Sequence, residues 1–179
     1  MKITLVRHGE TEMNSLGKLQ GRSNVSLNEK GRMKCGELKV KLKDKHYDVC
    51  YMSKLMRCCE TAMIIVGDRV KTVFDDRLIE RGLGELEGQS HDMYDDIAYW
   101  NYDLNKSDLG VESIQDLFSR CSDFLDYVKE KNSSDSSILI VTHSAVYRAL
   151  RHLILNHKLE GNMYDSKVHN CQCEEFEIN

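Results

Sequence analysis

Ile3-Thr4-Leu5-Val6-Arg7-His8-Gly9-Glu10 decides the reading of this chain. Its first four residues read as a buried strand, and that strand runs directly into Arg7-His8. Open α/β sheets bind their ligands just outside the carboxyl ends of their strands. An imidazole and a guanidinium delivered there stand where chemistry is done. A second run, Ile138-Leu139-Ile140-Val141, ends in the same way, in Thr142-His143. Two strands each bring a histidine to one edge.

Working outward, apolar runs alternate with helical periods. Strands are expected at residues 2–6, 48–52, 72–75, 138–141 and 171–178. Residues 28–44 read as a helix with Cys35, Leu38 and Leu42 on one face, opened by a capping box at Ser26-x-x-Glu29. Leu55, Cys58, Cys59, Ala62, Ile65 and Val66 form a helical stripe, with Ser53 as its expected N-cap. Met93, Ile97, Trp100 and Leu104 predict a helix opened by Ser90. The strongest stripe is Ile114, Leu117, Phe118, Cys121, Phe124, Leu125 and Val128, and a further helix spans about 145–156. The alternation predicts a three-layer α/β/α sandwich around a mostly parallel sheet, in one domain over residues 1–179. Residues 76–92, irregular and rich in glycine and charge, are the expected functional loop.

Composition narrows the function classes. The formal net charge of −4 argues against a protein that coats nucleic acid, while permitting a local basic pocket. No stretch approaches ~18 consecutive apolar residues, so no membrane span is expected. The chain enters strand-like sequence at once, without a signal-peptide pattern. Seven scattered cysteines are read as reduced thiols of a cytoplasmic protein. His169, Cys171 and Cys173 invite a metal reading, but no second Cys/His pair completes a zinc set, so the segment is read as an edge strand. Such an edge permits a dimer; the oligomeric state is left open.

Arg7, His8, Arg57 and His143 converge if the elements carrying them are neighbours. Arg57 lies near the start of its helix, where free N–H groups and the helix dipole favour anions. Two arginines grip a phosphoryl group well through bidentate, charge-assisted hydrogen bonds.

The motifs then resemble the histidine phosphatase superfamily, in its phosphoglycerate-mutase-like branch. Leu5-Val6-Arg7-His8-Gly9-Glu10-Thr11 with Asn14 is similar to its opening signature. Gln20-Gly21-Arg22, Ser53-Lys54-Leu55-Met56-Arg57, Leu78-x-Glu80-Arg81-x-x-Gly84 and Val141-Thr142-His143 follow in family order. The resemblance implies that His8 is the nucleophile that becomes a phosphohistidine. It implies that Glu80 protonates the leaving oxygen and then helps activate water. Arg7, Arg57 and His143 would hold the phosphoryl oxygens. Asn14, Gln20, Gly21 and Ser144 would complete the phosphate and substrate contacts. No metal or other cofactor is expected, because arginines and histidines supply the charge. The partner that the resemblance implies is a small phosphorylated metabolite.

Ser144 stands where members usually carry glycine, and Lys54 and Ser26 where proline is usual. These departures bear on substrate fit and leave every charged group in place. Hydrolysis is favoured over mutase-type transfer, since only 62 residues separate Glu80 from His143 and the chain ends just past its last strand. Members of this size include α-ribazole, phosphoserine and broad-specificity phosphatases. Two alternatives stand beside hydrolysis: phosphoglycerate-mutase-type transfer and a non-catalytic phospho-ligand module. Tyr94, Tyr99, Trp100, Tyr102 and His91 are either leaving-group contacts or packing.

Overall fold

A computed structural model describes residues 1–178. In chain order the elements are β1 (Lys2–Arg7), the single-turn α1 (Glu12–Ser15), α2 (Glu29–Lys41), β2 (Val49–Met52), α3 (Met56–Ile65), β3 (Lys71–Phe74), the single-turn α4 (Asp96–Tyr99), α5 (Ile114–Lys131), β4 (Ser137–Thr142), α6 (Ser144–Ile154) and β5 (Cys173–Glu177). The sheet order is β3-β2-β4-β1-β5. The pairings are parallel except for β5, an antiparallel edge strand on β1. The expected mostly parallel α/β architecture is therefore the one observed.

β4 is the central strand, and it is apolar on both faces, as strands covered by helices on both sides must be. Its Ile138 and Ile140 pack with α5 and α6, whereas Leu139 and Val141 pack with α2 and α3. The α5 stripe read from sequence is wholly buried. Ser113 caps that helix, accepting from the Asp116 N–H at 3.0 Å.

Three local expectations are corrected. The N-cap of α2 is Asn28, whose side chain accepts from the Gly31 N–H at 2.7 Å; Ser26 is exposed. Asparagine caps as well as serine, and placing Glu29 at the first helical position removes the capping-box spacing. Ser53 is not the N-cap of α3. Leu55 holds that place without a side-chain bond, and Asn24 Oδ1 accepts from the Met56 N–H at 2.8 Å.

The helix expected from Ser90 to Leu104 is instead a 3-10 turn, His91–Met93, followed by the four residues of α4. Met93, Ile97 and Leu104 are 64%, 73% and 66% exposed, while Tyr94, Tyr99 and Trp100 are buried. The aromatic rings bury more area than the aliphatic side chains. Asp95 stops a continuous helix by capping a new one, through the Ala98 N–H at 3.0 Å.

Phe124 is fully buried in the α5 stripe. Phe124→Ala is expected to cost about 3–5 kcal/mol, and Ile97→Ala no more than about 0.5 kcal/mol, both measured by urea denaturation. Equal costs would contradict this division between core and surface.

Candidate active site

Register builds the site. β1 and β4 are paired so that Arg7 lies opposite Thr142. The next residues, His8 and His143, therefore leave the sheet side by side, and the His8 N–H donates to the Thr142 carbonyl at 2.9 Å. Their rings are 5.2 Å apart, centre to centre, and meet edge to face. β2 ends opposite Val141, which brings the start of α3, and hence Arg57, to the same edge.

Arg57 is fully buried. Its Nε–H faces both imidazoles, 3.2 Å from His8 Nε2 and 3.1 Å from His143 Nδ1. Nη1 donates to the Ser23 carbonyl at 2.6 Å and Nη2 to the Gly21 carbonyl at 2.9 Å. One N–H remains on each terminal nitrogen. Gly21 has a left-handed backbone (φ +48°), and a Cβ there would lie 2.1 Å from Glu87 Oε1. The close turn that feeds its carbonyl to Arg57 thus requires glycine.

The hydrogen bonds assign both tautomers. His8 Nδ1 lies 2.6 Å from its acceptor, the Gly9 carbonyl, so it carries the proton and Nε2 keeps its lone pair. His143 Nδ1 accepts from Arg57, so its Nε2–H donates to Ser53 Oγ at 2.8 Å. Burial, together with the positive charges of Arg7 and Arg57, holds both imidazoles well below the ordinary histidine range. Both are neutral near pH 7.

Arg7 Nη1 donates to the Val168 carbonyl, and its buried Nε has no partner among the described residues. Burial lowers this guanidinium to about 10, which leaves it charged. Glu80 Oε1 accepts from the backbone N–H of Arg81 at 2.9 Å and of Ala145, in the first turn of α6, at 3.2 Å. Asn14 and Gln20 are tied together through Thr11, whose hydroxyl reaches Gln20 Oε1 at 2.9 Å and whose N–H reaches Asn14 Oδ1 at 3.2 Å.

Arg7, His8, Asn14, Gln20, Gly21, Arg57, Glu80 and Ser144 all line one cavity of about 580 Å³. His143 lies directly behind them, fully buried. His91, Tyr94 and Trp100 line the cavity too, whereas Tyr99 is in the core and Tyr102, partly buried, packs against it.

Several participants were not legible as such. Ser53 was read as a cap and is the acceptor that orients His143. Asn170 donates to the carbonyls of His8 and Gly9, both at 3.2 Å, from a turn with no periodic signal. Arg81 spans the loop, donating to the carbonyls of Glu112 and Tyr99. Arg148 is clamped between Trp100 and Tyr164, its guanidinium carbon 4.5 and 4.3 Å from the two ring centres. Among the described residues no three His, Cys, Asp or Glu side chains are arranged to hold a metal ion. Of the His169–Cys171–Cys173 set only His169 lines the cavity, and Cys171 faces Cys35.

The buried neutral imidazoles tie stability to pH. Unfolded histidine titrates near 6.5, above the folded values, so the unfolded chain binds more protons in the window below that pH. Their contribution is complete above about pH 6.5 and is lost as the pH falls, with a slope of up to about 1.4 kcal/mol per pH unit for each ring. Urea denaturation between pH 7.5 and 5.5 should show this fall, and replacing both His8 and His143 with Asn should flatten it. An unchanged slope in that double variant would refute the assignment.

Comparison with known proteins is consistent with this geometry. The profile of the histidine phosphatase superfamily (branch 1) matches residues 3–179. Phosphoglycerate mutase-like protein 4 of Arabidopsis thaliana is 34% identical over 159 residues, 83% of this chain and 69% of that protein. A metal-independent phosphoserine phosphatase of the same plant is 30% identical over 181 residues, 93% of this chain and 74% of that protein. YhfR of Bacillus stearothermophilus superposes with a TM-score of 0.87 at 27% identity, covering 99% of this chain and 91% of that one. A family profile spanning nearly every residue, on a chain whose two strand-end histidines flank one buried arginine, identifies this protein as a member of the histidine phosphatase superfamily.

Proposed function

We propose that this chain hydrolyses phosphomonoesters of small metabolites, without a metal, through a phosphohistidine on His8. The observation that carries this reading is the pinned ring of His8. Its Nδ1–H is held by the Gly9 carbonyl, and its Nε2 lone pair is turned toward Arg57 inside the cavity. Nε2 attacks phosphorus and the P–O ester bond breaks. Arg7 and Arg57 stabilise the phosphoryl charge, whereas His143, whose ring nitrogens are taken by Arg57 and Ser53, holds the Arg57 guanidinium in place rather than the phosphoryl oxygens themselves; phosphoryl transfer depends mostly on such positioning and charge cancellation. Glu80 gives its proton to the departing oxygen. It then takes one from the water that attacks phosphorus and breaks the P–N bond.

Glu80 is preferred to its neighbours on geometry. Glu10 is engaged by Asn28 at 3.1 Å and Lys30 at 3.2 Å. Glu87 accepts from the Arg22 N–H and the Ser23 hydroxyl, and Glu85 is exposed. Lys18, Lys34, Arg148 and Lys167 add positive charge to the cavity wall, against Glu10, Glu80 and Asp96. That balance favours a leaving group that carries a carboxylate, as the serine of phosphoserine does, the compound for which the metal-independent phosphoserine phosphatase relative is named. We take the domain as the whole of residues 1–179 and the compartment as the cytoplasm, where seven free thiols stay reduced.

p-Nitrophenyl phosphate should be turned over in the presence of EDTA, and rapid acid quench should trap acid-labile, base-stable phosphate on wild type but not on His8→Ala. Activity abolished by EDTA, or phosphate trapped on another residue, would overturn the mechanism. Glu80→Gln should lose about 10²–10⁴ in kcat on phosphoserine, whose alkoxide leaves poorly. The same variant should lose far less on p-nitrophenyl phosphate, whose phenolate needs little protonation. Equal losses on both substrates would remove Glu80 from the acid role.

A further inference from the structure

Behind the nucleophile loop lies a pair of thiols that the proposed hydrolysis does not use. Cys35, on α2, and Cys171, in the turn before β5, stand with their sulfurs 3.5 Å apart. No other two thiols among the described residues make such a contact. The two residues are 136 positions apart, so the contact is made by the fold alone.

Both cysteines touch the loop that carries His8. The Cys171 N–H faces the carbonyls of Arg7 and His8 at 3.1 and 3.2 Å, from a left-handed backbone (φ +59°). Its neighbours Val168 and Asn170 hold the Arg7 guanidinium and the His8 and Gly9 carbonyls. On the other side, Cys35 Sγ presses against Gly9 so closely that a Cβ there would lie 2.7 Å away. The Cys35 thiol also reaches Thr61 Oγ1 at 3.7 Å, the atom that accepts from the Gly9 N–H at 3.0 Å.

We propose that Cys35 and Cys171 are a peroxide-oxidisable dithiol whose closure to a disulfide disarms His8. One thiolate attacks the O–O bond of a hydroperoxide, giving a sulfenic acid and releasing water or an alcohol. The second thiol attacks the sulfenic sulfur, forms the S–S bond and expels water. The two sulfurs together lose two electrons, and the peroxide gains them. Cys171 is the partly exposed member, so peroxide reaches the pair from its side; Cys35 is buried. Contact with the Cys171 sulfur holds the Cys35 thiol below the usual thiol range.

A disulfide needs about 2.05 Å between sulfurs, so closure draws the pair together by roughly 1.5 Å. That movement strains the turn that holds Arg7 and the His8 and Gly9 carbonyls. A misplacement of ~1 Å at a reacting group costs up to about 10²-fold in rate.

The test treats the full chain, freed of reductant, with hydrogen peroxide. Peptide mapping after denaturation and alkylation should give a linked Cys35–Cys171 pair, lighter by two hydrogens. Turnover of p-nitrophenyl phosphate, the readout that rests on the hydrolase reading, should fall at least about tenfold and return with dithiothreitol. The ratio of oxidised to reduced activity should be close to one in Cys35→Ser and in Cys171→Ser, each normalised to its own reduced form, and unchanged from wild type in Cys59→Ser. Both cysteines alkylated after peroxide, or a linked pair with unaltered turnover, would overturn the proposal. If reduced wild type has no phosphatase activity, the hydrolase reading fails, while the mapping still decides whether the disulfide forms.

Discussion

The buried guanidinium of Arg57 is the constraint on which the site depends. A charge without solvent must be met by hydrogen-bond partners or it costs several kcal/mol. Here the partners are the carbonyls of Gly21 and Ser23 and the lone pairs of two histidines. Each explains a piece of the surrounding structure. The left-handed turn at Gly21 exists to aim a carbonyl inward. The imidazoles accept from Arg57 only while neutral, and burial, reinforced by Arg57 itself and by Arg7, keeps them so. No carboxylate is within salt-bridge distance of Arg57 among the described residues. Its positive charge is left to act on whatever anion enters the cavity.

Around this centre the scaffold works by register. Parallel pairing of β1 with β4 sets His8 and His143 level, and pairing of β2 with β4 brings α3 to the same edge. The loop after β1 is then clamped from behind. Gly31 of α2 approaches so closely that a Cβ would lie 2.1 Å from the Glu10 carbonyl, while Thr61 takes the Gly9 N–H. The loop that carries His8 is thus held by α2, α3 and the turn at residues 168–171. The thiol pair sits at the junction of the first and last of these supports.

The opposite wall is less regular and depends on two buried arginines. Arg81 ties the segment after Glu80 to Glu112 and Tyr99, and Arg120 in turn grips the Glu112 carboxylate at 2.7 and 3.0 Å. Arg148 stacks between Trp100 and Tyr164. A short chain thereby forms a walled cavity out of 3-10 turns and single-turn helices rather than a packed helical lid.

Strand and helix positions were legible because burial on a sheet or a helix face imposes a period on nearby residues, and the α5 stripe and the apolar run of β4 carry that period plainly. The convergence of His8, Arg57 and His143 was legible because ionisable side chains at strand ends and a helix start have few structural uses. Periodicity failed over residues 90–104, where Tyr94, Tyr99 and Trp100 take the buried positions around distant arginines. Local patterns also misplaced Ser53, whose hydroxyl orients an imidazole 90 residues away. The chain by itself determined which side chains arrive at the sheet edge. Only the folded structure decided which nitrogen of His8 keeps its lone pair, where the Arg57 hydrogens point and which two of seven thiols touch, since these depend on contacts between segments that share no local sequence.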